Sequence, residues 1–295
     1  MSKSTERKLV RAVELDLESG EVLIDTVHYQ KRQLEPFETA PCTFWKKEGD
    51  DRTFFNVKME NWEQFISDSS ITNANLGHAL YLSSFMHYDN ILYAQERNKI
   101  PLAADGVTEL LKVSKRSAMK VIASLQEAGL LSAEIKEVGG KQYNCYKLND
   151  TYFYRGAFNK KDGNYNHTAK AFNAVIQQLY LENNAATLAF IAKMLPFLDK
   201  QTNIICLNPN RDIDYDVLLH MKLDDAAKIA GISRQAAANI VNKAKYHGIW
   251  AFAKVITGKT VRYKLNPEIS TRQAGVTAFA DEVMFHSVEG SYTYS

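Results

Sequence analysis

The chain has 295 residues, of which 45% are hydrophobic and 24% are charged, and its formal net charge is only +2. This composition suffices for a packed core, suggests two domains by size, and excludes a polybasic protein that coats nucleic acid through bulk charge. The three cysteines (Cys42, Cys145 and Cys206) form neither a disulfide framework nor a zinc-ligand spacing, so a cytoplasmic location is expected. No signal segment and no apolar run of the ~20 residues that span a bilayer is present, so no membrane partner is expected.

Residues 1–52 are predicted to form a β-hairpin followed by a connection. Residues 12–17 and 22–27 alternate apolar and polar side chains on either side of a short polar turn. This hairpin is a candidate for self-pairing into a homodimer, although edge strands are often simply covered. The connection contains Pro36, Pro41 and a run of charges at 48–52.

Residues 53–154 are predicted to form the first of two domains. A strand over 54–59, helices over 61–66 and 75–88, and an extended segment over 91–104 lead to residues 106–131. That stretch predicts two helices joined by a tight turn, with Ser114 as the N-cap of the second. The buried stripe of the second helix is Ala118, Val121, Ile122 and Leu125; its opposite face carries Lys115, Arg116, Ser117 and Lys120.

Two strands follow, over 132–138 and 142–148, around Gly139-Gly140-Lys141. Helices followed by such a hairpin predict a winged helix. Its glycine tip and lysines, Lys141 among them, are expected to lie against the phosphate backbone or the minor groove of DNA. The alternatives are a hairpin that only closes the core and a helix whose cationic face is merely solvated. A Gly- and Asn-rich linker is predicted over 155–167, with the second domain over 168–268 and a tail over 269–295.

The central pattern occurs twice in the chain. Residues 225–250 match residues 106–131 without a gap, so that Ser233 corresponds to Ser114 at an offset of 119. Helices are predicted over 168–181 and 186–198, and a second glycine-turn hairpin over 251–265. Both hairpins end in the tetrapeptide Tyr-Lys-Leu-Asn. Two copies in register indicate tandem winged helices much more strongly than one copy does.

Residues 226–267 contain no Asp or Glu but many basic residues. In a nearly neutral protein this concentration favours binding to double-stranded DNA. Arg and Lys suit guanine, whereas Gln and Asn suit adenine, so the two helices predict unequal readers of a bipartite site. The predicted contacts of the second copy are Arg234, Gln235, Asn239 and Lys243 on the helix, with Lys259 and Arg262 on the wing.

No catalytic residue, metal site or cofactor is predicted. The segment 257–260 lacks the earlier glycine of a phosphate-binding loop, and Asp212, Asp214 and Asp216 lack the continuation of a calcium loop. The histidines form no metal motif. A short helix over 276–284 is predicted in the tail.

The predicted fold class is α+β, mainly α, with two tandem winged helix-turn-helix domains and an N-terminal β-hairpin. This organisation resembles plasmid and phage replication initiators over residues 53–268. The segment 54–58, the helix over 76–88 and the stretch SKRSAMKVIASLQEAGLL are similar to the winged helix of RepL-type initiators. The resemblance implies binding of origin DNA and recruitment of host replication proteins without nicking.

The favoured hypothesis is therefore a non-enzymatic, sequence-specific DNA-binding protein that initiates or controls plasmid or phage replication. A transcriptional regulator, such as a phage or plasmid repressor that acts on host transcription proteins, shares the same pattern. A protein-interaction scaffold and a nuclease or recombinase are the alternatives from other classes.

Overall fold

The computed structural model describes residues 5–15, 22–33, 53–94, 100–156, 167–209, 218–257, 260–272, 285 and 291–294. They belong to two compact units, residues 1–49 and residues 50–295. In the first unit, β1 (Thr5–Leu15) and β2 (Val22–Gln33) form an antiparallel hairpin with an irregularity near Glu14. The predicted hairpin is confirmed with longer strands, while its turn and the connection over 34–52 lie outside the described residues.

The second unit begins with the first repeat, residues 54–154. The helix predicted over 75–88 is shorter than expected, because the chain turns after Ser83. Leu92 then bridges back to Met86, while Ile91 bridges to Lys147 in the following hairpin. The elements are β3 (Phe54–Lys58), α1 (Met59–Asp68), α2 (Asn73–Ser83), α3 (Ala104–Leu111), α4 (Lys115–Glu127), β4 (Leu131–Val138), β5 (Lys141–Leu148) and β6 (Phe153–Tyr154).

The second repeat, residues 168–271, follows the same order after a segment, 157–166, that lies outside the described residues. Its elements are β7 (Thr168–Phe172), α5 (Asn173–Glu182), α6 (Ala185–Met194), a 3-10 turn (Leu195–Phe197), α7 (Leu223–Ala230), α8 (Arg234–Lys243), β8 (Lys245–Tyr246), β9 (Ile249–Trp250), β10 (Phe252–Thr257), β11 (Thr260–Leu265) and β12 (Ser270–Thr271). A further strand, β13 (Ser291–Tyr294), pairs in parallel with β10.

The helix predicted over 168–181 is wrong for its first five residues, which form β7. This strand pairs antiparallel with β3, from Phe54 opposite Phe172 to Lys58 opposite Thr168. Strand β6 pairs with the other edge of β3, and β12 pairs with the other edge of β7, so the sheet has the symmetric order β12-β7-β3-β6. One four-stranded sheet therefore joins the two repeats about an approximate two-fold axis.

The helices α2 and α6, which occupy the same place in their repeats, pack directly against each other across this axis. Gly77 permits the approach, because a Cβ atom there would lie 1.8 Å from the carbonyl oxygen of Ala185. One hydrophobic core runs through both repeats and includes residues such as Leu80 and Ile191, which are 0% exposed. The repeats are thus two halves of one packed body.

Two aromatic side chains interlock the repeats further. The indole N–H of Trp62 in α1 donates to the carbonyl of Ala192 in α6 at 2.8 Å. Conversely, the Tyr180 hydroxyl of α5 donates to the carbonyl of Leu111, the last residue of α3, at 3.1 Å. The Tyr180 ring also stacks on Tyr81, with centroids 3.8 Å apart. Burial raises the pKa of Tyr180 to about 12, so its hydroxyl keeps its proton and remains a donor even in alkaline solution.

The same backbone conformation recurs where each repeat meets its hairpin. Asn90 and Asn203 both adopt left-handed φ angles, 61° and 59°. The side-chain amide of Asn90 donates to the carbonyls of Leu148 and Phe153. The Asn203 amide donates to the carbonyls of the last residue of β11 and the first residue of β12. These matching bonds establish the internal repetition by geometry as well as by sequence.

The gapless match between residues 106–131 and 225–250 is wrong beyond α8. The Asn149 N–H donates to the Leu130 carbonyl, but the Asn266 N–H donates to the Ala251 carbonyl. Leu130 therefore corresponds to Ala251, two residues later than the sequence match places it. The extra residues belong to the small β8–β9 hairpin, whose turn at His247-Gly248 has φ angles of 48° and 78°.

Overall the second unit mixes α-helices with small, mainly antiparallel sheets, in agreement with the coarse prediction of an α+β fold. Eight α-helices occur among the described residues. None of the helices in the described part of the chain is long and apolar enough to cross a membrane.

Candidate nucleic-acid interface

The start of α4 carries the first set of predicted contacts. Ser114 caps this helix, because its hydroxyl accepts the backbone N–H of Ser117 at 3.2 Å. The apolar stripe predicted for α4 is buried as a whole, from Ala118 at 0% exposed to Val121 at 7%. Since that stripe faces the core, the opposite face is left at the surface. The predicted contacts on it, all exposed, are Lys115, Arg116, Ser117 and Lys120.

Two side chains on α4 differ from the simple prediction. The Ser117 hydroxyl lies 3.0 Å from the Ser114 hydroxyl, so it participates in the cap as well as facing solvent. Met119, which the sequence argument did not select, is 43% exposed on the same stretch. Met119 follows Lys115 and Arg116 by about one helical turn and directly precedes Lys120, and this position was the available signal.

The start of α8 carries the second set in the same way. Ser233 accepts the backbone N–H of Ala236 at 3.1 Å, and Ala237 and Val241 are buried. The Gln235 amide nitrogen donates to the Asn239 side-chain oxygen at 3.3 Å, one helical turn along, which orders both amides. The predicted contacts on this helix are all exposed: Arg234, Gln235, Asn239 and Lys243.

An ion pair stands at the same place in both repeats. Lys115 Nζ lies 2.8 Å from the carboxylate of Asp105, and Arg234 Nε lies 2.9 Å from the carboxylate of Asp224. Each aspartate belongs to the first turn of the preceding helix, where negative charge is favourable. The hydrogen bond and charge of Asp105 raise the pKa of Lys115. The first cation of each predicted reader is therefore positioned by an acid, which the charge count alone did not show.

The hairpin β4–β5 presents Lys141 at an exposed tip. The turn before it contains Gly139 and Gly140 at φ 59° and 75°, which glycine adopts without strain. Lys136 on β4 remains at the surface and forms an ion pair, with its Nζ 3.2 Å from the carboxylate of Asp89. The hydrogen bonds from Lys136, Tyr93 and the backbone N–H of Ile91 lower the Asp89 pKa although burial alone would raise it.

The hairpin β10–β11 is less cationic at its surface than the sequence predicts. Lys259 lies outside the described residues. Arg262 is half-buried and Lys264 is only 8% exposed. These two residues pair with Val255 and Ala253, so they share a face of the hairpin with an apolar cluster that includes Phe285. The sequence could not show that a residue in the tail covers this face.

The described residues contain no group of three or more His, Cys, Asp or Glu that could bind a metal ion. A polar cleft of about 670 Å³ lies between the C-terminal parts of α1 and α4, where Asp68, Ser124 and Glu127 line it. It is at the other end of α4 from the predicted contacts. The acidic residues 212–216 and the predicted tail helix over 276–284 lie outside the described residues.

Comparisons with known proteins give no relative for this chain. No protein-family model, no curated protein and no solved structure matches it.

Proposed function

We propose that this protein binds double-stranded DNA sequence-specifically through two tandem winged helices, with α4 and α8 entering successive major grooves. The observation that carries the proposal is the repeated construction of the two helices. Each follows a tight turn, begins at a serine cap, buries its apolar stripe and exposes polar and basic side chains at its first turns. A core-packed helix presented in this way is what major-groove reading requires.

The exposed side chains of α4 and α8 differ, so the two helices should prefer different DNA bases. Arg116 and Lys120 suit the O6 and N7 acceptors of guanine, and Met119 can meet a thymine methyl group. Gln235 and Asn239 suit the N6 and N7 groups of adenine, and their mutual hydrogen bond orders them for that role. We therefore expect a bipartite site whose halves have different sequences.

Phosphate contacts complete the interface. Lys141 at the first hairpin tip and Lys243 at the end of α8 are exposed cations that suit the DNA backbone. Lys115 and Arg234 each form an ion pair with an aspartate, which fixes the direction of their side chains. They are therefore suited to a contact with the DNA at a defined position. The proposed contacts of Lys259 and Arg262 with the DNA backbone are based on the sequence. They contribute less to the proposal, because Arg262 is half-buried.

The interlocked core supports a fixed spacing between the two half-sites. Because α2, α6 and the joint sheet hold the repeats in one body, the two helices are not free to rotate independently. Sites in successive major grooves have centres about 10 bp apart. Once the site has been selected from random DNA, insertion of 5 bp between its halves should abolish two-sided binding, because it turns one half to the opposite face of the duplex. Equal affinity for both spacings would refute the rigid arrangement.

Substitutions of single contacts test the assignment. Arg116→Ala should relax specificity in one half of the site and Asn239→Ala in the other, each with a cost of about 1–3 kcal/mol in binding if the contact is bidentate. Gln126→Ala, at an exposed position farther along α4, is the matched control and should leave binding unchanged. Lys259→Ala should weaken binding to all sequences and lower the salt slope by about one. Unchanged binding in all three contact variants would show that the assigned DNA face is wrong.

We also propose, on the resemblance alone, that the bound DNA is a plasmid or phage replication origin and that host replication proteins are recruited there. Footprinting combined with an origin-dependent replication assay tests this step. Protection at an origin together with loss of replication in the Arg116→Ala variant would support it. Protection only at promoters, without origin dependence, would instead identify a transcriptional repressor.

A further inference from the structure

One edge of β4 is unpaired within the described part of the chain. In the second repeat the corresponding edge, that of β10, pairs in parallel with β13. In the first repeat β4 pairs with β5 along one side, and no described strand pairs with its other side. An unpaired edge strand of eight residues is a template for another strand unless something prevents pairing.

The hydrogen bonds of β5 show which residues of β4 face this free edge. The Leu148 N–H donates to Asn90 and the Tyr146 carbonyl accepts from Leu92, so these two residues of β5 face away from β4. Because the pattern alternates, the next residues of β5 bond to β4 through Ser132 and Glu134, their partners in register. The N–H and C=O groups at positions 133, 135 and 137 therefore point out of the free edge.

The side chains of β4 are arranged so that two antiparallel copies of the strand would complement each other about Ile135. Ile135 is 67% exposed, which is unusual for an isoleucine, and it lies between Glu134 and Lys136. If two copies of β4 pair antiparallel with Ile135 opposite Ile135, each Glu134 lies opposite a Lys136 of the other copy. Shifting the centre by one residue would instead place Glu134 opposite Glu134, or Lys136 opposite Lys136, which is unfavourable.

We propose that β4 pairs antiparallel with the β4 of a second copy of this chain, centred on Ile135. The pairing makes a continuous sheet in the order β5-β4-β4-β5 across a two-fold axis, and each facing pair at 133–137, 135–135 and 137–133 exchanges both of its backbone bonds. The exposed isoleucines cover each other, and the charges beside them alternate in sign. One strand pair is a small interface, so the dimer forms in a concentration-dependent way. This proposal does not depend on DNA binding.

Sedimentation velocity of the full chain without DNA, over a range of concentrations, measures the association. The wild type should shift from monomer to dimer as its concentration rises. Ile135→Lys should weaken the dimer by at least ~10-fold, because it places two cations opposite each other and removes the apolar contact. Val261→Lys is the matched control: Val261 is an exposed strand residue of the other hairpin, 39% exposed, and its replacement should leave association unchanged.

A charge exchange tests the register. Glu134→Lys and Lys136→Glu should each weaken self-association, since each brings like charges together. An equimolar mixture of the two variants should restore a dimer, because each lysine of one then faces a glutamate of the other. Lys136→Glu also loses the contact with Asp89, so thermal unfolding of every variant is compared with the wild type to verify folding.

Three results would overturn the proposal. The first is a wild type that stays monomeric at every concentration, which would show that the charged side chains of β4 prevent its edge from pairing. The second is a dimer that tolerates Ile135→Lys, which would place the interface elsewhere. The third is a folded mixture of the charge variants that remains monomeric, which would refute the register.

Discussion

Replacement of Gly77 by Ala tests the packing that joins the two repeats. In most helix interiors Gly→Ala stabilises a protein by up to about 1 kcal/mol, because glycine has the lower helix propensity. Here the new Cβ atom would lie 1.8 Å from the carbonyl oxygen and 2.6 Å from the carbonyl carbon of Ala185. Both are backbone atoms, so no side-chain rotation relieves the clash. The helices α2 and α6 must separate by more than 1 Å instead.

Overpacking a well-filled core typically costs about 1–3 kcal/mol, and a backbone clash of this size belongs at the upper end. After the gain in helix propensity, Gly77→Ala should lower the free energy of unfolding by ~2 kcal/mol. For a unit of this size the melting temperature should fall by roughly 4–8 °C. Urea denaturation followed by circular dichroism gives the free energy directly.

Gly106→Ala in α3 is the matched control. Its Cβ atom would also be close to a neighbour, 2.5 Å from Leu102, but that atom is the end of a side chain that can rotate. The control should therefore lose less than half as much stability as Gly77→Ala. Gly77→Ala as stable as the wild type would refute the close approach of α2 and α6, and with it the rigid link between the repeats.

Three further predictions concern the indole of Trp62, the imidazole of His78 and the ion pairs of Asp105 and Asp224. Trp62→Phe leaves the buried carbonyl of Ala192 without its indole donor and should cost about 1–3 kcal/mol in urea denaturation. Burial lowers the pKa of His78, so the unfolded chain binds a proton at this residue more readily than the folded protein does. The free energy of unfolding should therefore fall as the pH drops below about 6.5, and His78→Gln should reduce that fall when unfolding is measured at pH 7.5 and 5.5. If the protein binds DNA as proposed, Asp105→Asn and Asp224→Asn should each tighten binding to non-specific DNA several-fold. The melting temperature should fall by no more than about 4 °C, because an exposed ion pair and a first-turn acid contribute little to stability. Fluorescence anisotropy at two salt concentrations measures the affinity, and a weaker or unchanged affinity would contradict the assignment of these acids to the interface.

The local features of the chain were the most predictable from sequence. Ser114 and Ser233 are N-caps as predicted, and the buried stripe of α4 follows from its spacing alone. Both features depend on residues within a few positions of one another, where backbone geometry dictates the outcome. The β4–β5 hairpin around Gly139 and Gly140 was recognisable for the same reason.

Features that depend on distant segments were not predictable. The segment Thr168–Phe172 has no strong preference of its own, and it becomes a strand because β3 lies beside it. The β8–β9 hairpin was taken for the end of a helix, since Gly248 suits either a helix end or a tight turn. Lys264 belongs to the basic stretch 226–267, and nothing near it in sequence reveals its burial.

The approximate two-fold symmetry has a consequence for how the two halves can differ. A symmetric homodimer must present identical reading helices, whereas one chain with two repeats can change one helix without the other. The buried positions remain alike, because they must satisfy the same packing, while the exposed positions diverge to Arg116 and Lys120 on one side and Gln235 and Asn239 on the other. The position that Lys115 and Arg234 share, each with its aspartate, is the exception, because it keeps the same charge in both repeats. Under the proposed function, substitutions in the shared core should therefore impair both half-sites together, whereas substitutions among the diverged residues should impair only one.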